Sequence, residues 1–260
     1  MIWIAVQLAG SGVFAGAGVA AARKSRRLAT MLVGGMLGIL LLKDALSYIP
    51  LGEPRFLPFN WYPLIERWWY LFPATFIFGV AITLFRSSVW RRDALLVGEG
   101  LLLLHCTALG WVMSRPSDLL GTVGEDGFCR QTSGYSCSAA SAAMLLHRHG
   151  VQATEREMAE LSVTSNGGLA GGGTTESGLM RGLRLKLGGM KIPRIDRPTY
   201  DTLPTPSIVG LRLSPRLTHS IVVVKITATE VKVLDPLYGR GILRRAEFER
   251  DWLGSAIWIE

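Results

Sequence analysis

The sequence predicts an all-α transmembrane region of about four helices followed by an α/β domain of the α+β kind, with helices packed on an antiparallel sheet. Three observations point there. Long apolar runs dominate the chain as far as Met113 and then give way to a mixed texture of charges, turns and short segments. A run of small helix formers over 137–149 ends at Gly150. Two β-branched runs within 218–236 are separated by a short polar turn, the mark of a hairpin.

The apolar half comes first. The chain has 260 residues, 49% of them hydrophobic, which is more apolar than an ordinary globular enzyme. Segments 2–22, 28–49, 68–85 and 94–113 each approach the ~20 apolar residues that a helix needs to cross a bilayer. No charge precedes the first segment, and Arg23, Lys24, Arg26 and Arg27 follow it, the reverse of a cleavable signal peptide. A second basic cluster, Arg86, Arg91 and Arg92, separates the third and fourth segments. Basic loops belong on the cytoplasmic side. The expectation is therefore an integral protein of a bacterial inner membrane, with lipid as a partner and the carboxy-terminal domain on the extracytoplasmic face. Loop 50–67, with Phe56, Phe59, Trp61 and Tyr62, then reads as an interfacial aromatic belt. Lys43 and Asp44 sit near a span end, where they can snorkel or pair, and Glu99 and His105 read as interhelical hydrogen-bonding groups.

The net charge of +8 does not indicate nucleic acid. In the second half Lys and Arg are mixed with Asp and Glu, and no basic stripe alternates with stacking aromatics. The three cysteines, Cys106, Cys129 and Cys137, are too few for a disulfide framework. Segment 114–127, with Pro116, Gly121, Gly124 and Gly127, reads as a linker, and 128–260 as the folded domain.

The chemistry begins at 128–150, FCRQTSGYSCSAASAAMLLHRHG. Gly134 and Ser136 interrupt the chain just before the helical run, so Cys137 is placed at a helix amino terminus. Unpaired N–H groups and the helix dipole favour an anion there and increase the thiolate fraction. The same donors can receive an oxyanion, and Gln131 on the approach loop can add a side-chain donor. His219 opens the first strand of the hairpin THSIVVVKITATEVKVLDP and Asp235 closes the second. Antiparallel pairing brings both to one end. They share a face only if the connection has an odd residue count or the ladder carries a bulge. In a Cys-His-Asp set His219 takes the thiol proton and later protonates the leaving amine, while Asp235 fixes its tautomer.

Other clusters read as structural. His147 and His149 lack the second ligand pair that a metal site needs, and a cation at a helix end complements the dipole. Thr154 and Glu157 read as a capping box. The stretch NGGLAGGGTTESG has no following Lys for a nucleotide, and Gly188 and Gly189 read as a helix C-cap and turn. No cofactor is expected.

The carboxy-terminal half resembles the bacteriocin-processing, double-glycine-type cysteine peptidases that form the leader-cleaving domain of some ABC exporters. The resemblance is carried by QTSGYSCSAASAAMLLHRHG, GTTESGLMRGLRLKLG, PSIVGL, THSIVVVKI, VLDPLYGR and FERDWLGSAIWI. It implies a papain-like fold with Cys137 as nucleophile, His219 as base, Asp235 as orienter and Gln131 in the oxyanion hole. The implied activity is hydrolysis of peptide bonds in a peptide or protein, with cleavage after small residues such as glycine. A non-catalytic leader-peptide-binding domain and a thiol acyltransferase are the alternatives on the same fold. No GxxxxGK[ST] loop is present, so any exporter or other membrane partner would be a separate chain.

Overall fold

Helices α1 (Ile2–Lys24), α2 (Arg26–Tyr48) and α3 (Leu71–Leu84) come first in the chain. The computed structural model describes residues 2–48, 71–84, 93, 100, 118–165, 172–214 and 217–260. These residues fall into two compact units, with α1–α3 in the first and everything from 118 onward in the second.

In the first unit small residues let the helices approach closely. A side chain at Gly18 would run into the backbone of Phe76, and one at Gly79 into that of Ala15. Ala21, Ala22, Ala29, Phe76 and Val80 form the buried contact, and the Phe14 and Phe72 rings stack at 5.1 Å.

The expected transmembrane region is overturned here. Among the described residues no helix is long and apolar enough to cross a membrane. α3 has 14 residues, which at a rise of ~1.5 Å each covers about 21 Å of a ~30 Å hydrocarbon core. α1 is longer, but much of its described length is Gly, Ala and Ser, residues suited to close packing against another helix. Of the fourth expected span, 94–113 with Glu99 and His105, only Gly100 is described. The aromatic loop 50–67 and the side chains of Lys43 and Asp44 also lie outside the described residues. The inner-membrane location, the extracytoplasmic placing of the domain and lipid as a partner all rested on those spans and lose their basis with them.

The second unit is an α+β domain. Helices α4 (Cys137–Arg148), α5 (Glu155–Leu161) and α6 (Glu176–Leu187) precede strands β1 (Pro193–Asp196), β2 (Ser207–Ser214), β3 (Leu217–Ile226), β4 (Glu230–Asp235) and β5 (Gly239–Arg244). Helix α7 (Arg245–Asp251) and strand β6 (Trp252–Ile259) close the chain. The strands form one antiparallel sheet in the order β1-β6-β2-β3-β4-β5.

Local signals set the helix ends. Thr154 and Thr175 cap α5 and α6 by accepting from the N–H of Glu157 and of Gly178, both at 3.1 Å. Glu157 turns its own carboxylate to Lys186 at 2.6 Å. Gly188 ends α6 in the left-handed conformation, φ 57°. Alternation along the strands gives the sheet two buried faces. Ile208, Val222, Leu234 and Ile257 pack with α4–α6. Val209, Ile221, Val223 and Val231 pack with Phe248 of α7 and with Tyr200. Phe248 is fully buried, worth roughly 1.5–3 kcal/mol in removed apolar surface.

The β3–β4 ladder changes register once. Val222 faces Leu234 and Val223 faces Val233, but Lys225 faces Lys232, so Val224 is the extra residue of a bulge. On the His219 side of that bulge, Asp235 falls opposite Ile221, two residues along β3 from His219. A residue two along a strand lies on the same face, so the imidazole and the carboxylate are diagonal neighbours. Continued without the bulge, the register Ile226↔Val231 would have turned them to opposite faces.

Candidate active site

α4 begins at Cys137 with its amino end open. Its N-cap, Ser136, makes no side-chain cap to the helix. The Ser136 hydroxyl is taken by Ser133, donating to that residue's carbonyl at 2.9 Å and accepting from its N–H at 3.2 Å. The closed turn leaves the first N–H groups of the helix directed at whatever lies in front of it. Behind Cys137 the helix buries Ser138, Ala139, Ala140, Ser141, Ala142 and Ala143. Side chains this small let it lie close to the sheet.

β3 brings His219 to this point, only 4% exposed. Its Nε2 lies 2.7 Å from Oδ1 of Asp235. The same oxygen accepts the N–H groups of Leu237 at 2.8 Å and Tyr238 at 3.1 Å, so the turn after β4 holds the carboxylate in place. The Tyr238 ring stands edge-on to the imidazole at 6.4 Å. With Nε2 facing the carboxylate, the other ring nitrogen is left for the thiol.

The charges follow from these contacts. Burial alone would raise the Cys137 pKa, but hydrogen bonds from His219, the Ser220 backbone and the Ser138 hydroxyl, with the charge of His219, bring it below the ordinary thiol value. Burial works against His219 too, and hydrogen bonds to Asp235 and Cys137 overcome it, raising its pKa to about 9. Burial opposes ionisation of Asp235, yet the His219 hydrogen bond and the two backbone N–H groups hold its pKa below the usual carboxylate range. These directions increase the thiolate fraction of Cys137, favour the imidazolium of His219 and keep Asp235 a carboxylate.

Gln131 joins the group through its backbone, its N–H donating to the Pro236 carbonyl at 2.9 Å. Its side-chain Nε2 donates to the Ser133 carbonyl at 2.8 Å, which leaves one amide hydrogen. The remaining cysteine of the domain is of another kind. Cys129 is fully buried, and burial, then the charge of Glu155, push its pKa up to about 12, so it stays a protonated thiol. Both Cys129 and Cys137 are free. Among the described residues no group of His, Cys, Asp and Glu could hold a metal ion.

Two features of the site escaped the sequence reading. Glu155, 0% exposed, accepts from the Gly121 N–H at 2.9 Å, the Thr132 N–H at 2.8 Å and the Thr132 hydroxyl at 2.6 Å. It anchors the loop that carries Gln131 to α5. An acid in the first turn of a helix ordinarily complements the dipole in solvent, so nothing local marks this one as buried. The second is a set of serines: Ser138 and Ser220 lie Oγ to Oγ at 2.8 Å, and Ser141 donates to the Ser220 carbonyl at 3.0 Å. Their only sequence signal is three hydroxyls where an all-apolar contact would do.

The carboxy-terminal region, 126–260, matches the model of the peptidase C39 family. An uncharacterised protein of Methanothermobacter marburgensis is 28% identical over 149 residues, covering 55% of this chain and 94% of its own length. Another from Methanothermobacter thermautotrophicus is 29% identical over 139 residues, covering 54% and 92%. Among solved structures, the peptidase domain of Streptococcus ComA, described as a bi-functional ABC transporter involved in a quorum-sensing pathway, is 25% identical. That likeness covers 50% of this chain and 94% of that one, with a TM-score of 0.44. A double-glycine-motif protease from an AMS/PCAT transporter, solved with its leader peptide, is 17% identical over 54% of this chain and 97% of its own, with a TM-score of 0.42. With its family region spanning more than half of its length, the chain belongs to the peptidase C39 family.

Proposed function

We propose that this chain hydrolyses peptide bonds in a peptide or protein, with Cys137 as nucleophile, His219 as acid and base, Asp235 as its orienter and Gln131 as an oxyanion donor. The observation that carries the reading is the buried pair of His219 Nε2 and Asp235 Oδ1 at 2.7 Å, brought to the start of α4 by β3, where Ser138 and Ser220, the residues after Cys137 and His219, meet at 2.8 Å. The Cys137 sulfur attacks the scissile carbonyl carbon, and the carbonyl oxygen becomes an oxyanion in front of the open N–H groups of α4 and the free amide hydrogen of Gln131. His219 gives its proton to the leaving amine as the C–N bond breaks, leaving a thioester on Cys137. His219 then takes a proton from water, the hydroxide adds to the thioester, and Cys137 leaves as thiolate. The substrate class follows the family and the leader peptide bound to the AMS/PCAT protease. The peptidase unit is proposed to be 128–260, entered through 114–127, with 1–113 as a separate helical region.

The test is labelling of the full chain at pH 7 with a thiol-directed covalent probe, mapped by mass spectrometry, alongside cleavage of a peptide library. Label on Cys137, lost with hydrolysis in Cys137→Ala, is the expected result. An unlabelled Cys137 together with an uncut library overturns the reading.

Activity also has a pH signature. Hydrolysis climbs on the acid side as Cys137 ionises, below the ordinary thiol pKa. It falls on the alkaline side as His219 loses its proton, with a midpoint near pH 9. Alkylation needs only the thiolate and does not fall above that midpoint. Measured side by side, the two pH profiles separate beyond the alkaline limb.

A further inference from the structure

Ser136, the residue before Cys137, is 0% exposed and stands at the N-cap of α4, yet its side chain caps nothing. Serine is favoured at that position because its oxygen can accept a helix N–H. Here the hydroxyl turns back along the chain. It donates to the Ser133 carbonyl at 2.9 Å and accepts the Ser133 N–H at 3.2 Å, so one side chain holds both polar backbone groups of that residue. The same carbonyl accepts from Nε2 of Gln131 at 2.8 Å. The other end of that amide is bare: Gln131 Oε1 is buried and accepts no hydrogen bond among the described residues. The two ends of an amide are alike in shape and differ only in what they donate or accept. Among the described residues, the Ser133 carbonyl therefore decides which end of Gln131 carries the donor, and with it where the remaining amide hydrogen points. The Gln131 backbone is fixed separately, by its N–H to the Pro236 carbonyl at 2.9 Å.

We propose that Ser136 is a positioning residue for hydrolysis, whose hydroxyl holds the Ser133 carbonyl against the Gln131 amide and so aims the free Nε2 hydrogen at the oxyanion. The inference rests on the reading of Gln131 as an oxyanion donor and Cys137 as nucleophile. Ser136 acts through Ser133 and Gln131 and gives no proton to the oxyanion itself. Its effect arises only as the carbonyl oxygen gains charge, so it belongs to kcat and not to KM or to the reactivity of the thiol.

The test compares kcat and KM on a peptide cut by the wild type with the rate of Cys137 alkylation by iodoacetamide, all on the full chain. Alkylation displaces iodide from a saturated carbon and forms no oxyanion. Ser136→Ala is expected to lower kcat about tenfold to a hundredfold, part of the worth of one oxyanion donor, with KM and the alkylation rate within about twofold of wild type. Gln131→Ala lowers kcat by roughly 10²–10³-fold. The double variant matches Gln131→Ala, because Ser136 acts through that amide. Should Ser136→Ala fail to fold, Ser136→Gly removes the same hydroxyl at a position that glycine tolerates. A kcat unchanged in Ser136→Ala, an alkylation rate that falls as far as kcat, or a double variant slower than Gln131→Ala overturns the proposal while leaving the wild type a peptidase. A Gln131→Ala protein as fast as wild type removes the amide from the oxyanion hole and the proposal with it. A wild type that cuts no peptide and takes no label at Cys137 overturns the peptidase reading and the proposal together.

Discussion

Replacing His219 with alanine is expected to slow peptide hydrolysis at pH 7 by roughly 10²–10⁴-fold, the usual range for a positioned acid and base. Two losses combine. The thiolate loses the charge and hydrogen bond that lower its proton affinity, and the leaving amine loses its proton donor. The fold should survive the change, because Oδ1 of Asp235 keeps the N–H groups of Leu237 and Tyr238 as partners. The measurement is kcat/KM on a peptide cut by the wild type, beside the melting temperature of each protein. A variant within tenfold of wild type would remove His219 from the mechanism.

Glu155→Ala is expected to act on stability first, by roughly 2–5 kcal/mol, because it leaves buried donors of Gly121 and Thr132 unpaired at once. Glu155→Gln keeps the volume but turns an amide toward donors, so it should recover only part of the loss. Urea unfolding followed by circular dichroism reads the difference. Activity should fall further than the folded fraction does, since Gln131 sits on the loop that Glu155 ties down. A midpoint unchanged in Glu155→Ala would show that the loop holds by other contacts.

What could be read from the sequence was what short stretches of chain decide. The helix beginning at Cys137, the His219 and Asp235 hairpin and the left-handed Gly188 all follow from signals within a few residues. The contacts that lock these pieces together join distant positions. Glu155 meets residues 23 and 34 positions away, and Ser138 meets Ser220 across 82. Periodicity and propensity carry no information on such pairs. The bulge at Val224 appeared only as one of two conditions, an odd connection or an extra residue, and nothing in VVVKITATEV decides between them. The membrane reading failed for a related reason. An apolar run rich in Gly and Ala can serve a lipid-facing span or a helix packed against helices, and α1 and α3 pack through Gly18 and Gly79.

Val224 makes chain-length parity between His219 and Asp235 a chemical variable. Removing that one residue would join the pair Val223 and Val233 directly to the pair Lys225 and Lys232 and leave the carboxylate on the imidazole's side, whereas straightening the strand at its present length would present the carboxylate to the wrong side. Adding two residues at the 227–229 turn would leave the phase untouched. A change of one residue in this short connection is therefore silent to the imidazole only where the bulge or the turn takes it up.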